Sequence, residues 1–441
     1  MARSRGQGYS QRFGAKGFLR ASPKKRQTEA TRISPGAFEQ PYRFFCTLPM
    51  PDFDLLVLGA GASGLMCAAT AAGRGLKVAV LEHNPNPGRK ILASGGGRCN
   101  FTNLEVRPQD FRSANPHFVK SCLAQYPPSR FLELVKEHKI AFYEKAQGQL
   151  FCHQGAREIL NLLLGLNQKG KVKLLTGAQE IQVCHQKEPS LFLVQCSLGE
   201  FSARNLVVAT GGLSYRSLGA SDLGMLLARQ FGLKVTHTRP ALVPLLYKGF
   251  TPLAGVSLPA EVEVAGRSLT DDLLFTHQGI SGPVVLKASL FWDPGESLQV
   301  NLLPGQDLNP LLLEAKASFP QKSLSKTLAQ WLPERLVSHW QETFGWPTKG
   351  QLQNFSHKEL ALVAQSLSAW SFVPQGTEGY AKAEVTLGGV STQELSSKTL
   401  EAKKQPGLYF VGELVDMTGL LGGFNLHWAW ASGFAAGTAV S

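Results

Sequence analysis

DLLVLGAGASGLMCAATAAGRGLKVAVLEHNPNPGRKILASGGGRCNFTN, residues 54–103, is the stretch that decides the fold. Its first apolar run, 55–58, opens into Gly59-Ala60-Gly61-Ala62-Ser63-Gly64, the G-x-G-x-x-G spacing, and the small residues at 65–72 predict a helix. A second apolar run, 76–81, ends in Glu82. Strand, tight turn, helix and strand in that order aim backbone N–H groups at the position where a dinucleotide pyrophosphate rests. Gly59 permits the turn, Gly61 lets the backbone approach the phosphates, and Gly64 lets the helix pack on the strand. Glu82 follows Gly64 by 18 residues, a position from which a carboxylate accepts hydrogen bonds from a ribose 2'-hydroxyl and disfavours a 2'-phosphate, so NADP is not expected there. An ordinary glycine-rich turn accounts for the spacing alone. It does not account for the second cluster, Ser94-Gly95-Gly96-Gly97-Arg98-Cys99-Asn100.

Outward from this stretch, the 441 residues are enough for two or three domains, with 43% apolar and 17% charged residues, a globular composition. Seven scattered cysteines with no C-x-x-C pair argue against a structural zinc site or a disulfide framework, and for a reducing compartment such as the cytoplasm. The net charge of +13 is unevenly placed: residues 1–50 carry ten Lys or Arg against only Glu29 and Glu39. That leader is expected to be disordered. It reads as a transit peptide, a basic arm, or sequence upstream of a true start at Met50. The uncharged stretches 55–73 and 417–441 are built on Gly, Ala and Ser, so they read as buried cofactor-facing segments and no membrane partner is expected.

Along the chain, helices are expected at 130–139 and 156–167, and strands at 172–183, 191–197 and 201–208 that read as an antiparallel meander crossing the parallel sheet. The last of these opens into Ala209-Thr210-Gly211-Gly212, and glycines at a strand's C-terminal end mark close backbone approach to a ligand. Proline-punctuated β-type runs over 241–305 predict a small antiparallel or barrel-like domain, and 306–375 reads as helical. Trp331, Trp340, Trp346 and Trp370 in that region read as core. Parallel-sheet texture returns at 408–411, ends in Gly412-Glu413, and is followed by Gly422-Gly423-Phe424-Asn425 and a small-residue helix over 428–440. The nucleotide domain is therefore expected to be discontinuous, 51–240 with 376–441.

The segments GAGASGL (59–65), GRKILASGGGRCNFTN (88–103), ATGGLSY (209–215), PALVPL (240–245), FTHQGISGP (275–283), VTLGGV (385–390) and GLYFVGELVDMTGLLGGFNLHWA (407–429) resemble the YhiN-type flavoproteins, which include aminoacetone-oxidase-like enzymes. The resemblance spans 52–441 and implies an α/β, Rossmann-like FAD-binding domain of the two-dinucleotide-binding type, with an inserted β-barrel-like plus helical domain and noncovalent FAD. It implies that Gly59, Gly61, Ala62, Ser63 and Gly64 hold the pyrophosphate and Glu82 the adenosine ribose. Lys90, Arg98 and Asn100 are then expected near the phosphates or flavin, with Thr210-Gly211 close by. Gly412-Glu413 is expected at the ribityl chain, and Gly422, Gly423, Phe424 and Asn425 beside the isoalloxazine ring. Three positions depart from the family's habit: Arg216 for proline, Met225 for an aromatic residue and His427 for glutamine.

The leading expectation is an FAD-dependent oxidoreductase transferring a hydride between the flavin and a small organic substrate, with a nucleic-acid partner not expected because the basic surplus sits in the leader. An RNA-modifying flavoenzyme and a flavin-binding redox sensor without turnover are the alternatives. With one G-x-G-x-x-G and no paired cysteines, a second nicotinamide-binding Rossmann domain is not expected. His427, His277 and Tyr215 are the candidates for a general base, and each reads more readily as structural. The residues assign neither a catalytic group nor an oligomeric state.

Overall fold

A computed structural model describes residues 50–348 and 350–441. The expectations for the leader fall on residues 1–49, outside the described residues. The opening stretch forms strand β1 (Phe53–Leu58), helix α1 (Ala62–Gly73) and strand β2 (Val78–Glu82). Both strands are almost wholly buried, which is why they read as continuous apolar runs rather than alternating ones. A small three-stranded antiparallel sheet follows, with β3 (Asn100–Asn103), β4 (Phe142–Glu144) and β5 (Gln149–Cys152) in the spatial order β3-β5-β4.

The main sheet continues with β6 (Lys173–Thr176), β7 (Gln182–Gln186), β8 (Leu191–Cys196), β9 (Gly199–Val208) and β10 (Leu408–Phe410). Its order is β6-β2-β1-β9-β8-β7, and β10 also pairs with β9. The expected meander is corrected in two respects. Residues 173–176 leave it to run parallel to β2 at the outer edge, and β7, β8 and β9 extend the same sheet instead of crossing it. β9 makes this geometry possible by its length. One edge pairs with β1, while the other is shared between antiparallel β8 at residues 199–203 and parallel β10 at residues 206–208.

A second, seven-stranded sheet is antiparallel throughout, in the order Trp370–Phe372, Leu298–Asn301, Ser257–Val264, Arg267–Phe275, Gly279–Ser281, Leu245–Leu246, Gly376–Thr377. Helix α2 (Pro283–Phe291) packs on it, with further helices at Leu308–Ser318, Glu334–Thr343 and His357–Ser368. Two hydrophobic cores result. One gathers side chains from 53–233 and 390–440, the other from 241–387. Trp340, Trp346 and Trp370 belong to the second core, where Phe250 and Phe275 pack on Trp340 and Trp370 at ring separations of 5.1 to 6.4 Å.

The final helix, α3 (Phe424–Ala439), begins four residues before the expected 428 and lies directly on α1. The contact is backbone to backbone: a Cβ on Gly433 would stand 2.3 Å from the Ser63 carbonyl oxygen, and one on Gly437 2.5 Å from that of Cys67. No helix among the described residues is long and apolar enough to cross a membrane.

Candidate cofactor and substrate site

The glycines of the first turn divide by what surrounds them. Gly59 has φ +105°, and a Cβ there would meet the Ala209 carbonyl oxygen at 2.6 Å, while one on Gly64 would meet the Gly59 carbonyl oxygen at 2.0 Å. These two bring α1, β1 and the end of β9 together. Gly61 faces open space instead. No side chain caps the α1 N-terminus. Its first N–H groups, which have no partner within the helix, therefore stand beside the space at Gly61, the arrangement that receives a phosphate. The Thr210 hydroxyl, at the end of β9, is buried without a hydrogen-bond partner and packs against Gly224. The open space at Gly61 and the uncapped α1 N-terminus fit a dinucleotide cofactor.

Glu82, at the end of β2, is buried, and its Oε2 accepts from the Ala60 N–H at 2.8 Å. Its Oε1 accepts from the backbone N–H and the amide of Asn84 at 2.8 and 2.9 Å. Burial pushes this carboxyl up, but hydrogen bonds from His83, Asn84 and Ala60 outweigh it and hold the group below its ordinary value. The glutamate stays ionised; Oε1 is filled by Asn84 and His83, while Oε2, with the Ala60 N–H alone, keeps acceptor capacity for a ribose hydroxyl.

A second carboxylate is built where segments far apart in sequence, around residues 90, 214, 386 and 413, meet. Lys90 Nζ lies 2.8 Å from Glu413 Oε2 and 3.1 Å from Ser214 Oγ. Glu413 Oε1 accepts from Ser214 Oγ at 2.8 Å and from the Thr386 N–H at 2.9 Å. Burial pushes Glu413 up; the Lys90 ammonium, the Ser214 hydroxyl and the Thr386 N–H together hold it below its ordinary value. The neighbouring Gly412 is clamped by α3: its N–H donates to Ser432 Oγ at 3.0 Å and its carbonyl accepts from Trp428 Nε1 at 2.9 Å.

At the start of α3, the Asn100 amide, oriented to satisfy both of its ends, accepts from the Gly423 N–H at 3.1 Å and donates to the Thr102 and Leu150 carbonyls. Asn425 turns back into its own loop, accepting from the Gly419 N–H at 2.8 Å and donating to its carbonyl at 2.9 Å. Arg98 is exposed and donates to the Tyr143 hydroxyl at 3.2 Å, apart from the Lys90–Glu413 pair. Phe424 lines a cleft of about 320 Å³ between the two cores, together with Asn103, Gln147, Gln149, Lys287 and Leu421. Of these, only Phe424 was singled out as a site residue from the sequence. A hollow of about 450 Å³ beside Asp52, Lys77 and Lys173 lies at the opposite end of β1, away from the strand ends where such sheets bind ligands.

His427 lies inside the core and away from the cleft. It is fully buried, with Nδ1 3.0 Å from Thr102 Oγ1 and Nε2 3.1 Å from the Tyr126 carbonyl. Burial lowers its pKa to about 4. A histidine whose folded pKa lies below its unfolded value stabilises the fold above the unfolded pKa and loses that contribution as pH falls toward the folded one. Between pH 6.5 and 4 the loss amounts to about 3 kcal/mol. The His427→Gln variant is expected to flatten that part of the acid-denaturation curve, and an unchanged curve would remove His427 from the account. Cys67 and Cys99 are buried thiols pushed up to about 12, so neither serves as a thiolate nucleophile.

The class defined by this fold and site is an FAD-binding Rossmann flavoprotein with an antiparallel sheet domain. The HI0933-like protein Rossmann domain family matches residues 53–439, and the chain belongs to that family. It is 46% identical over 398 residues to the ribosomal RNA dihydrouridine synthase of Escherichia coli (strain K12), covering 88% of this chain and 97% of that one. It is 30% identical over 410 residues to the 3-dehydro-bile acid delta(4,6)-reductase of Clostridium scindens, covering 87% and 98%. Among solved structures, the 3-ketosteroid-delta4-(5alpha)-dehydrogenase of Rhodococcus jostii RHA1 aligns with 89% of this chain and 98% of its own at 14% identity, TM-score 0.47. The protein is an FAD-dependent oxidoreductase.

The expectation that set nucleic acid aside is corrected by these relatives, since two of them, from Escherichia coli and Haemophilus influenzae, are named for ribosomal RNA. The error lay in reading net charge as a partner test. A charge total reports long-range attraction, whereas selecting one base needs only a local cleft.

Proposed function

We propose that this chain reduces a carbon–carbon double bond conjugated to a carbonyl, and that its substrate is the uracil ring of a uridine in ribosomal RNA. The observation that carries the reading is the cleft between the two cores, where the apolar wall of Leu421 and Phe424 faces one buried ammonium, Lys287. A flat ring with a polar edge is complementary to such a wall. The names of the two kinds of full-length relative support the same chemistry, since a 5,6-dihydrouridine and a delta(4,6)-reduced product both arise by saturating a conjugated double bond. A cytoplasmic location goes with that substrate.

In this reading residues 51–240 and 376–441 hold FAD, with the α1 N-terminus at the pyrophosphate, Glu82 at the ribose and Glu413 at the ribityl chain. FAD supplies the two-electron chemistry when bound. The chain supplies orientation. Asn103 ties the turn at Gln147 to the loop at Gly422, donating to both carbonyls at 2.9 and 3.1 Å, and so fixes one side of the cleft. The inserted part, 241–375, closes the cleft from the other side through Lys287.

The test is direct. FAD-loaded protein reduced with dithionite is mixed with ribosomal RNA prepared without modification, and the RNA is digested to nucleosides for mass spectrometry. Dihydrouridine formed at a discrete site is the expected result. Its absence, with rapid flavin reoxidation by a conjugated ketone, would transfer the substrate assignment to small enones.

A further inference from the structure

Lys287 is out of place for its helix. Around it on α2, Val284, Val285, Ala288, Leu290 and Phe291 are buried core residues, and the Lys287 side chain itself is only 9% exposed. Burying an ammonium is costly unless its hydrogen bonds are satisfied and its charge is matched. The charge is matched by Asp271 on the neighbouring strand, Oδ2 at 2.7 Å, and Gln147 Oε1 accepts a second hydrogen bond at 2.7 Å. An ammonium has three N–H groups. Among the described residues the third has no acceptor, and the cleft is the open side.

The partner from the cofactor side is held in an unusual way. Gln147 has φ +61°, a left-handed conformation that a residue with a Cβ adopts at a cost, and such strain gathers at binding sites. The following residue leaves no room to relax: a Cβ on Gly148 would lie 2.7 Å from Asn103 Oδ1. Thus a strained turn, fixed by Asn103, delivers one carboxamide to the buried ammonium across the boundary between the two cores. A clamp between domains needs only an ion pair at a surface. It does not need a lysine buried in an apolar helix with one donor unspent.

We propose that Lys287 is the substrate-recognition cation of the cleft, donating its third N–H to the carbonyl oxygen conjugated to the reduced double bond, O4 in a uracil ring, with Asp271 and Gln147 as positioning residues. The proposal rests on the reading of the reaction given above. Saturating the ring adds a hydride at C6, taken from the two-electron-reduced flavin, and a proton at C5, taken from water. Between these events negative charge sits on O4. An ammonium hydrogen-bonded there stabilises that charge and keeps its own protons, so lysine is neither consumed nor required to titrate.

The experiment uses the FAD-loaded full chain and titrates two probes, a uridine-containing fragment of ribosomal RNA and 2-cyclohexenone, following the visible flavin spectrum, which reports binding without turnover. K287M is expected to weaken both probes about ten- to hundredfold, the worth of a hydrogen bond from a charged donor, with FAD content kept but a lowered melting temperature, because Asp271 is left without its partner; K287M with D271N removes that unpaired charge and should recover stability without recovering binding. K287Q, which keeps a neutral donor, should fall in between and serves if K287M does not fold. Q147A should weaken binding less, because the charge remains. Wild-type affinity in K287M, or a loss that follows melting temperature equally in K287M and Q147A, overturns the assignment and leaves a domain clamp. If the RNA fragment binds neither wild type nor variant while cyclohexenone binding still depends on Lys287, the role of Lys287 stands and the RNA substrate falls.

Discussion

Gly64→Val is expected to give a protein that retains no FAD. The Cβ would stand 2.0 Å from the Gly59 carbonyl oxygen and 3.2 Å from the Ala209 Cβ. The first of these neighbours is backbone, with no rotamer to change, so α1 has to move away from β1. Overpacking a core ordinarily costs about 1–3 kcal/mol, and a 2.0 Å clash with the Gly59 main chain, with the Ala209 Cβ closing the other side, exceeds that range. The displacement also carries Ser63 away from Gly433, so the cradle opens at both of its helices. Gly61→Ala is the matching control. Nothing lies within 4 Å of its Cβ position, so that variant should melt like the wild type while holding FAD less well. Flavin-to-protein ratio after gel filtration and thermal unfolding read both. Stoichiometric FAD in Gly64→Val would sink the packing account of the turn.

Lys90→Met is the second large effect. It leaves the Glu413 carboxylate among Ser214, Thr386 and apolar neighbours with no cation beside it. Breaking a buried pair by removing one partner costs about 3–5 kcal/mol, and the lower end applies because a third of the Lys90 side chain is exposed. About a hundredfold weaker FAD retention follows at neutral pH if the whole cost falls on the loaded form. The pH dependence has a definite sign. In the wild type Glu413 titrates below its ordinary value, so its contribution is present at neutral pH and is lost as pH falls through that lowered pKa. Without Lys90 the carboxyl titrates higher and the loss begins at higher pH. Lys90→Met with Glu413→Gln should recover part of the affinity, since the unpaired charge is gone. No recovery would mean that the carboxylate itself holds the cofactor with little help from the lysine.

What could be read from the residues was whatever local spacing controls. Gly59, Gly61 and Gly64 sit in one turn, and their spacing states its geometry. Burial made β1 and β2 continuous apolar runs, so the parallel core was legible too. The outer strand at 173–176 was not, because a short strand does not record whether its partner runs parallel or antiparallel. Gly422 and Gly423 were legible as the N-terminus of α3, but its first turn, 424–427, was not, because the small-residue pattern begins only at 428. Lys287 and Gln147 were missed for a different reason. They are 140 residues apart, and neither lies in a motif of its own. The apolar run 283–286 beside Lys287 reads as β-type but is the start of helix α2, so a lone lysine after an apolar run was the single available signal, and only burial distinguishes it from a side chain that reaches solvent. Asn103 stood in view as the last residue of the glycine cluster's segment, but its two hydrogen bonds to distant loops have no counterpart in sequence spacing.

The contact of α3 on α1 sets an order of events during synthesis. Ser63 and Cys67 are made early, while Gly433 and Gly437, which lock onto their carbonyls, come some 370 residues later, and contacts so distant in sequence form late. The core of 241–387 is contiguous in the chain, so it can condense while α3 is still in the ribosome. Until then the first half of the cradle waits with its α1 surface uncovered. A yellow chain is therefore one that has already been translated through α3, and colour reports that stage of synthesis as well as cofactor content.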